Sequence, residues 1–491
     1  MNKAKFLFVA LIATMLLSCN KDESASITLE RASLYFSSWE SGSAQTISYT
    51  TSNAESVSIG SISEGWTAIV NEASRTITVW PVVVTNENGV INGELFKEGS
   101  MVVNALNKEN SATSAYVNLY IADSEDIDTA GKANCYVVCK PSVNYMFNAS
   151  VRPDGEPLAT ANVKLLWQSN PSIVKHVEFV DGNAMFYIAA SEDDAERVEN
   201  TNAVIAAYNN AGEVIWSWHL WITNENPLTA TDQYSNGKTF MRNNLGAFTN
   251  SNGDSNEQKI LDSHGMYYQW GRKDPFSRPY FHDASGAEIE DKFNASDIYI
   301  AEELVEIYSN IGTLDYITKY PMRFITNASC IEEGGDRIGD WLVTADPTLW
   351  NNNGSKSLYD PCPYGWRVPT ADEFEVLKLS DDEDSMDHSV ARKRFGWHLS
   401  DDSNSYFYPA CGRRRYTDGK IENMSYKEGV YPAQPEPWEG YYWTSTTTPD
   451  GKKAVCLYFD LTTPTRAVNN KFEIRQSACK ANGFQVRCVK E

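Results

Sequence analysis

The chain has 491 residues, 42% hydrophobic and 12% aromatic, with a formal net charge of −23. That length exceeds one ordinary core, so about two to four domains are expected. The acidic balance, in which no basic run stands out, speaks against nucleic acid and anionic membrane surfaces as partners.

Lys3 and Lys5 precede an apolar run, Phe6 to Leu17, that is too short to span a bilayer. Leu16-Leu17-Ser18-Cys19 follows and resembles the lipobox of bacterial lipoproteins, whose cysteine is lipidated. The resemblance implies a leader over residues 1–19, lipidation at Cys19 and anchorage to the outer membrane, exposed on the cell surface. An ordinary signal peptide with an incidental cysteine is the alternative. A small residue and a cysteine placed where the apolar run ends favour the lipobox. Lys21-Asp22-Glu23 resembles the export signal of surface lipoproteins of Bacteroidota, although a solvated tether accounts for the same residues. No other stretch is long and apolar enough to span, so membrane contact is expected only through the lipid.

Residues 20–26 read as a polar tether. From residue 27 to 123 the pattern is short alternating strands: Ala32–Phe36, Gln45–Tyr49, Ser56–Ile59, Thr67–Val70, Arg75–Trp80 and Tyr116–Ile121. Polar turns between them predict an immunoglobulin-like β-sandwich. Gly65-Trp66-Thr67 with Ser74-Arg75-Thr76-Ile77-Thr78-Val79 resembles the BACON family of gut-bacterial surface modules. The resemblance implies carbohydrate binding or a spacer, and the spacer is preferred because fold does not carry function.

Ser124 to Thr129 reads as an acidic hinge, and a second β domain covers residues 130–230. Ala203–Tyr208 and Val214–Ile222, joined by Asn209-Asn210-Ala211-Gly212, predict a hairpin. On its second strand Trp216, Trp218, Leu220 and Ile222 share one face, while His219 and Trp221 share the other. Bulk on both faces predicts a central strand covered on both sides, with its tryptophans in cores. His219 is read as packed or hydrogen-bonded rather than as a metal ligand.

Residues 231–491 contain the stiffest segment, Asp360 to Phe374. Pro361, Pro363, Pro369 and Gly365 fix a turn, and Thr370 with Glu373 predicts a capping box opening a helix whose apolar stripe reaches Leu377. Phe240–Ala247, Tyr267–Phe276, Asp360–Pro363, Gly365–Thr370, Tyr442–Thr446 and Gly483–Lys490 together resemble the FISUMP domain, the Fibrobacter succinogenes major paralogous domain of Bacteroidota lipoproteins. The motifs keep the family's order over about half the chain. Arg242-Asn243-Asn244 stands where the family has Asp-Arg-Asn. The resemblance implies an α+β, C-type-lectin-like domain with no established activity. Residues 277–357 read as an insertion with an amphipathic helix over Ala301–Tyr308.

Nine cysteines less Cys19 leave eight, an even number that suggests disulfides in an exported protein. Cys362 and Cys488 flank the C-terminal module and are the preferred pair; Cys456 with Cys479 is the second choice. Cys135 and Cys139 lie about 13 Å apart on a strand, beyond bonding reach.

No motif in the sequence completes a catalytic constellation. Gly237-Lys238-Thr239 lacks the P-loop glycine, because Asp232 occupies that position. The six histidines show no metal-ligand spacing. Asp381–Asp384 with Asp387, and Gln434-Pro435-Glu436, admit calcium; solvated loops are the preferred reading, and no other cofactor is expected. Tyr431, Trp438 and Tyr441, with Arg413, Arg414 and Arg415, form the candidate binding surface, since aromatic faces stack on sugars or protein partners. The expected function is non-catalytic adhesion or recognition of a glycan or surface protein, with β modules as a stalk. A fimbrial accessory or tip subunit is the second reading, with Arg31 as a cleavage point. An enzyme related to formylglycine-generating proteins is the third, with Cys479 or Cys488 as nucleophile.

Overall fold

A computed structural model describes residues 24–37, 44–82, 97–170, 172–250, 259, 262–276, 303–328, 339–350, 354–379, 396–419, 421–424, 439–460 and 472–491. The chain divides into two compact units, Met1–Ala122 and Asp123–Glu491. Cys19, Asp381–Asp384, Asp387 and Gln434–Glu436 lie outside the described residues.

The first unit holds β1 (Ser26–Leu29), β2 (Ser33–Phe36), β3 (Gln45–Ser52), β4 (Ser56–Ile62), β5 (Trp66–Asn71), β6 (Thr76–Pro81), β7 (Glu98–Leu106) and β8 (Ala112–Ile121). They form two four-stranded sheets, in the orders β1-β3-β6-β5 and β2-β8-β7-β4. Ile47, Ile77 and Val79 from one sheet meet Leu34, Met101, Val103, Val117 and Leu119 from the other in one core. Alternation produces this: residues two apart on a strand point to the same face, so one face packs and the other stays wet. All six expected strands are present. The structure adds β1 and β7, and β7 carries the same alternation at Met101, Val103 and Ala105, each fully buried.

The second unit begins with β9 (Asp123–Asp128), β10 (Cys135–Val138), β11 (Val143–Asn148), β12 (Asn162–Gln168), β13 (Val174–Val180), β14 (Asn183–Ile188), β15 (Thr201–Tyr208) and β16 (Val214–Ile222). Their sheets run β10-β16-β15-β12 and β13-β14-β11-β9. The segment expected to be a hinge is thus β9, an edge strand parallel to β11. Backbone pairing outweighs its acidic composition. Its last carboxylate, Asp128, accepts from the Lys132 N–H at 2.6 Å and the Tyr136 hydroxyl at 3.1 Å.

Strand β16 lies between β10 and β15 and divides two cores. Trp216, Trp218, Leu220 and Ile222 pack with Phe147, Phe186 and Ile205. On the opposite face Trp221 packs with Leu245, Trp270, Trp341 and Trp443. That second core joins residues on both sides of position 230, so the boundary drawn there lies within one compact unit.

The rest of the unit is short strands and irregular segments closed by the chain's last residues. Val489 pairs with Phe240 on one side and Arg367 on the other. Cys362 is bonded to Cys488 beside that pairing, with Cα atoms 6.0 Å apart. Strands Glu439–Thr447, Ala454–Asp460 and Phe472–Ala478 form a three-stranded sheet. The described residues contain two well-formed short helices, α1 (Leu314–Lys319) and α2 (Ala371–Phe374). The protein is all-β and multi-sheeted, and the α+β character expected of the C-terminal part is not found in the described residues.

Two helix expectations need correction. Within Ala301–Tyr308, residues Glu303–Glu306 form a strand parallel to Arg323–Thr326. A pairing partner distant in sequence overrides the local helical pattern. The helix opened by Thr370 ends after one turn, and Lys378–Leu379 pairs with Leu399–Ser400. Glu373 is engaged there: the Thr370 N–H donates to it at 2.9 Å, and Arg367 grips both oxygens at 2.6 and 2.8 Å.

Candidate functional site

The expected aromatic and basic surface is only partly brought together. Tyr431 and Trp438 lie outside the described residues. Tyr441 is 7% exposed; its ring stacks on Phe484 at 4.7 Å and its hydroxyl donates to Glu439 at 2.6 Å. Arg414 is fully buried, 4.6 Å from the Phe324 ring and 5.6 Å from that of Phe276, and donates to the Gly419 carbonyl. Both are core residues, which corrects their assignment to a surface. The cause is long-range packing: apolar rings distant in sequence enclose the guanidinium. Arg413 pairs with Glu422 at 2.8 Å and lies over the Tyr441 ring at 5.4 Å. Arg415 pairs with Asp418 and Glu422. The basic triplet is therefore largely neutralised by its own hairpin.

Around Tyr441 the structure assembles a carboxylate cluster that spacing did not suggest. Glu439 accepts hydroxyls from Tyr441 and Tyr458, both at 2.6 Å, and faces Asp460 across the strand pair. Burial pushes the Glu439 carboxyl above its ordinary range, and the two hydroxyls oppose that.

Of the cysteines, Cys362 and Cys488 are paired as expected. The second choice is overturned: Cys456 is a thiol, whereas Cys479 is disulfide-bonded. Cys479 and Cys488 thus both serve in disulfides, which removes the thiols on which the formylglycine-related reading relied.

A cysteine–histidine–asparagine trio crosses three neighbouring strands: Cys135 on β10, His219 on β16 and Asn202 on β15. Cys135 Sγ is 3.4 Å from His219 Nδ1, and His219 Nε2 is 2.8 Å from Asn202 Oδ1. Asn202 Nδ2 donates to the Gly246 carbonyl, which fixes its amide. His219 Nε2–H therefore donates to Asn202, and Nδ1 accepts from Cys135 or from Tyr268 at 3.3 Å. The spacing matches a nucleophile and base, but the environment does not. Burial pushes the Cys135 thiol far up and the His219 imidazole down to about 3. A nucleophilic cysteine needs the opposite shifts. The trio is an interior hydrogen-bond network, in agreement with the reading of His219 as packed.

One groove of about 390 Å³ is lined by Arg152, Glu156, Leu158, Trp216, Asp315 and Tyr359, with further contributions from β16 and α1; another of similar volume lies beside Glu375 and Phe472–Arg475. Trp216 and Tyr359 lie 6.0 Å apart at the base of the first groove. One wall is the turn Arg152–Glu156, where the Arg152 N–H donates to the Glu156 carbonyl and Gly155 takes φ +90°. Arg152 is held against Asp154, with Nη2 to Oδ2 at 2.7 Å. The other wall is α1, capped by Thr313 and presenting Asp315 and Thr318.

The base is anchored from beneath. Lys273 Nζ lies 4.7 Å from the Trp216 ring centre, 2.6 Å from Asp274 and 2.9 Å from the Ser217 carbonyl. Burial lowers the Lys273 pKa, and Asp274 opposes that shift. Asn134 accepts from Trp216 Nε1 at 3.2 Å and donates to the carbonyls of Leu358 and Asp360 at 2.7 and 3.0 Å. Those carbonyls flank Tyr359, so one amide sets both rings. Asp360 in turn accepts from Lys356, Cys362 N–H and Val368 N–H. The stiff Asp-Pro-Cys-Pro segment is the mount for Tyr359. Trp216 is a core residue, as its strand position leads one to expect; the available signal for Tyr359 is its place directly before that segment.

No family model matches the chain, and no curated protein matches it. Among solved structures it is similar to extracellular cadherin domains 3–6 of protocadherin gamma B2, at 10% identity and a TM-score of 0.14, over 40% of this chain and 52% of that one. It is also similar to the human desmocollin-1 ectodomain, at 8% identity and 0.15, over 40% of each chain. A third is SGBP-B of the Bacteroides ovatus mixed-linkage glucan utilization locus, in complex with a mixed-linkage heptasaccharide. There identity is 9% and the TM-score 0.11, over 38% of this chain and 42% of that one. The chain spans about half or less of these proteins, and TM-scores this low do not establish a shared fold.

Proposed function

We propose that the chain is a lipid-anchored surface protein that recognises a ligand without transforming it. The lipobox-like Cys19 would hold it to the outer membrane, and the first unit would act as a spacer. The second unit would carry the binding site. The observation that carries this reading is the groove between the Arg152–Glu156 turn and α1. Its two rings and charged rim are held by a buried scaffold, which suits binding a preformed shape. The resemblances to BACON and FISUMP modules agree with this reading and remain part of the proposal.

The test is to apply the soluble chain from Ser24 onward to a glycan array and to immobilised cell-surface extracts, with and without EDTA. Saturable binding that falls with Tyr359→Ala and ignores EDTA is expected. Among the described residues no group of acidic, histidine or cysteine side chains is placed to hold a metal ion. Binding that Tyr359→Ala leaves unchanged would remove the groove from the account.

A fimbrial role is favoured by one observation. β1 is an edge strand ending just before Arg31, and the chain then crosses to the other sheet as β2. Cleavage after Arg31 would strip that edge. An intact, acylated N-terminus in the assembled material would count against this second reading.

A further inference from the structure

The geometry points to a neutral saccharide as the ligand class of the groove, an inference that rests on the recognition reading above. The rim mixes charge signs. Arg152 spends Nε and Nη2 on Asp154, and among the described residues its Nη1 makes no protein hydrogen bond. Facing it are carboxylates at Glu156, which is exposed, and Asp315, whose side chain is 83% exposed and lies 3.9 Å from Lys319. An anionic ligand would meet Glu156 and Asp315, and a cationic one would compete with Arg152, already paired with Asp154, while gaining only screened, exposed carboxylates.

A neutral polyol avoids both penalties. Its hydroxyls donate to Glu156 and Asp315 and accept from Arg152, and charge-assisted hydrogen bonds are the stronger kind. Half-buried Tyr359 supplies an aromatic face for the C–H side of a pyranose ring, with Trp216 behind it. A volume of about 390 Å³ is at the small end of small-molecule sites, which suits one or two sugar units rather than a folded partner. The lining is half-open and mixed in polarity, unlike the apolar clefts that take hydrophobic peptides.

The test is isothermal titration of the oxidised soluble chain. The probes are neutral manno-, cello-, malto- and laminari-oligosaccharides, anionic oligogalacturonate and cationic chitosan oligosaccharide. At least one neutral series is expected to bind and the charged ones to bind far less. Tyr359→Ala should abolish binding, and Tyr359→Phe should retain most of it. Glu156→Gln and Asp315→Asn lie on the surface and leave the fold intact. Each should weaken binding on the order of tenfold. Tyr364→Ala, an exposed aromatic outside the groove lining, should change nothing. Tyr359-dependent binding of a charged saccharide or of a protein would overturn the neutral-sugar inference while leaving the recognition reading in place. Absence of binding to every neutral probe would overturn the inference, and silence on the array and extracts as well would overturn both. Neutral binding that survives Tyr359→Ala would show that the sugar sits elsewhere, which also overturns it.

Discussion

Glu373 shows how much one side chain can hold. Burial alone would raise its pKa, but Arg367, the Thr370 N–H and Lys238 outweigh burial and hold it at about 2, against an ordinary value of 4.5. A depressed carboxyl stabilises the fold fully above the unfolded value and ceases to as pH falls from about 4.5 toward 2. The shift corresponds to about 3 kcal/mol. Glu373→Gln should lower stability by about that amount at neutral pH, with the difference fading near pH 2. Urea midpoints taken across that range would check it, and a constant difference at every pH would contradict it. The capping pattern made Glu373 legible in the sequence. Its ion pair with Arg367 was not, because a propensity pattern does not say which neighbour a side chain will face. Arg414 was misread for the same reason: three consecutive arginines look like a solvated patch until Phe276 and Phe324 fold against one of them.

At the scale of elements, strands were read where alternation was strong. β16 was legible down to its two buried faces, because bulky residues at consecutive positions admit only a central strand. β9 and Glu303–Glu306 were missed because their pairing partners, not their own residues, make them strands. Tyr359 was missed because a single tyrosine before a rigid turn has no periodic signal, and its exposure depends on a turn some two hundred residues away. The Cys362–Cys488 bond was legible, and it closes a loop of 126 residues next to the pairing of Arg367 with Val489. Chain entropy assigns such a loop about 4–5 kcal/mol. The double variant Cys362→Ser, Cys488→Ser should lose roughly that much in denaturant titration. An unchanged midpoint would show that the C-terminal strand is held by its packing alone.

For the whole molecule, the two units have separate cores, and the second carries the groove and the Cys362–Cys488 bond. Among the described residues no helix is long and apolar enough to cross a membrane; attachment through a lipid at Cys19 is proposed from the lipobox-like residues that precede it. Display on the outer face is the claim on which recognition depends. Brief protease treatment of intact cells that make the protein, followed by mass spectrometry of both fractions, tests it most directly. The account predicts release of fragments from residues 123–491, with an acylated Cys19 peptide left on the cells. Full-length chain shielded from the protease, or recovered without acylation from the soluble interior, would contradict it.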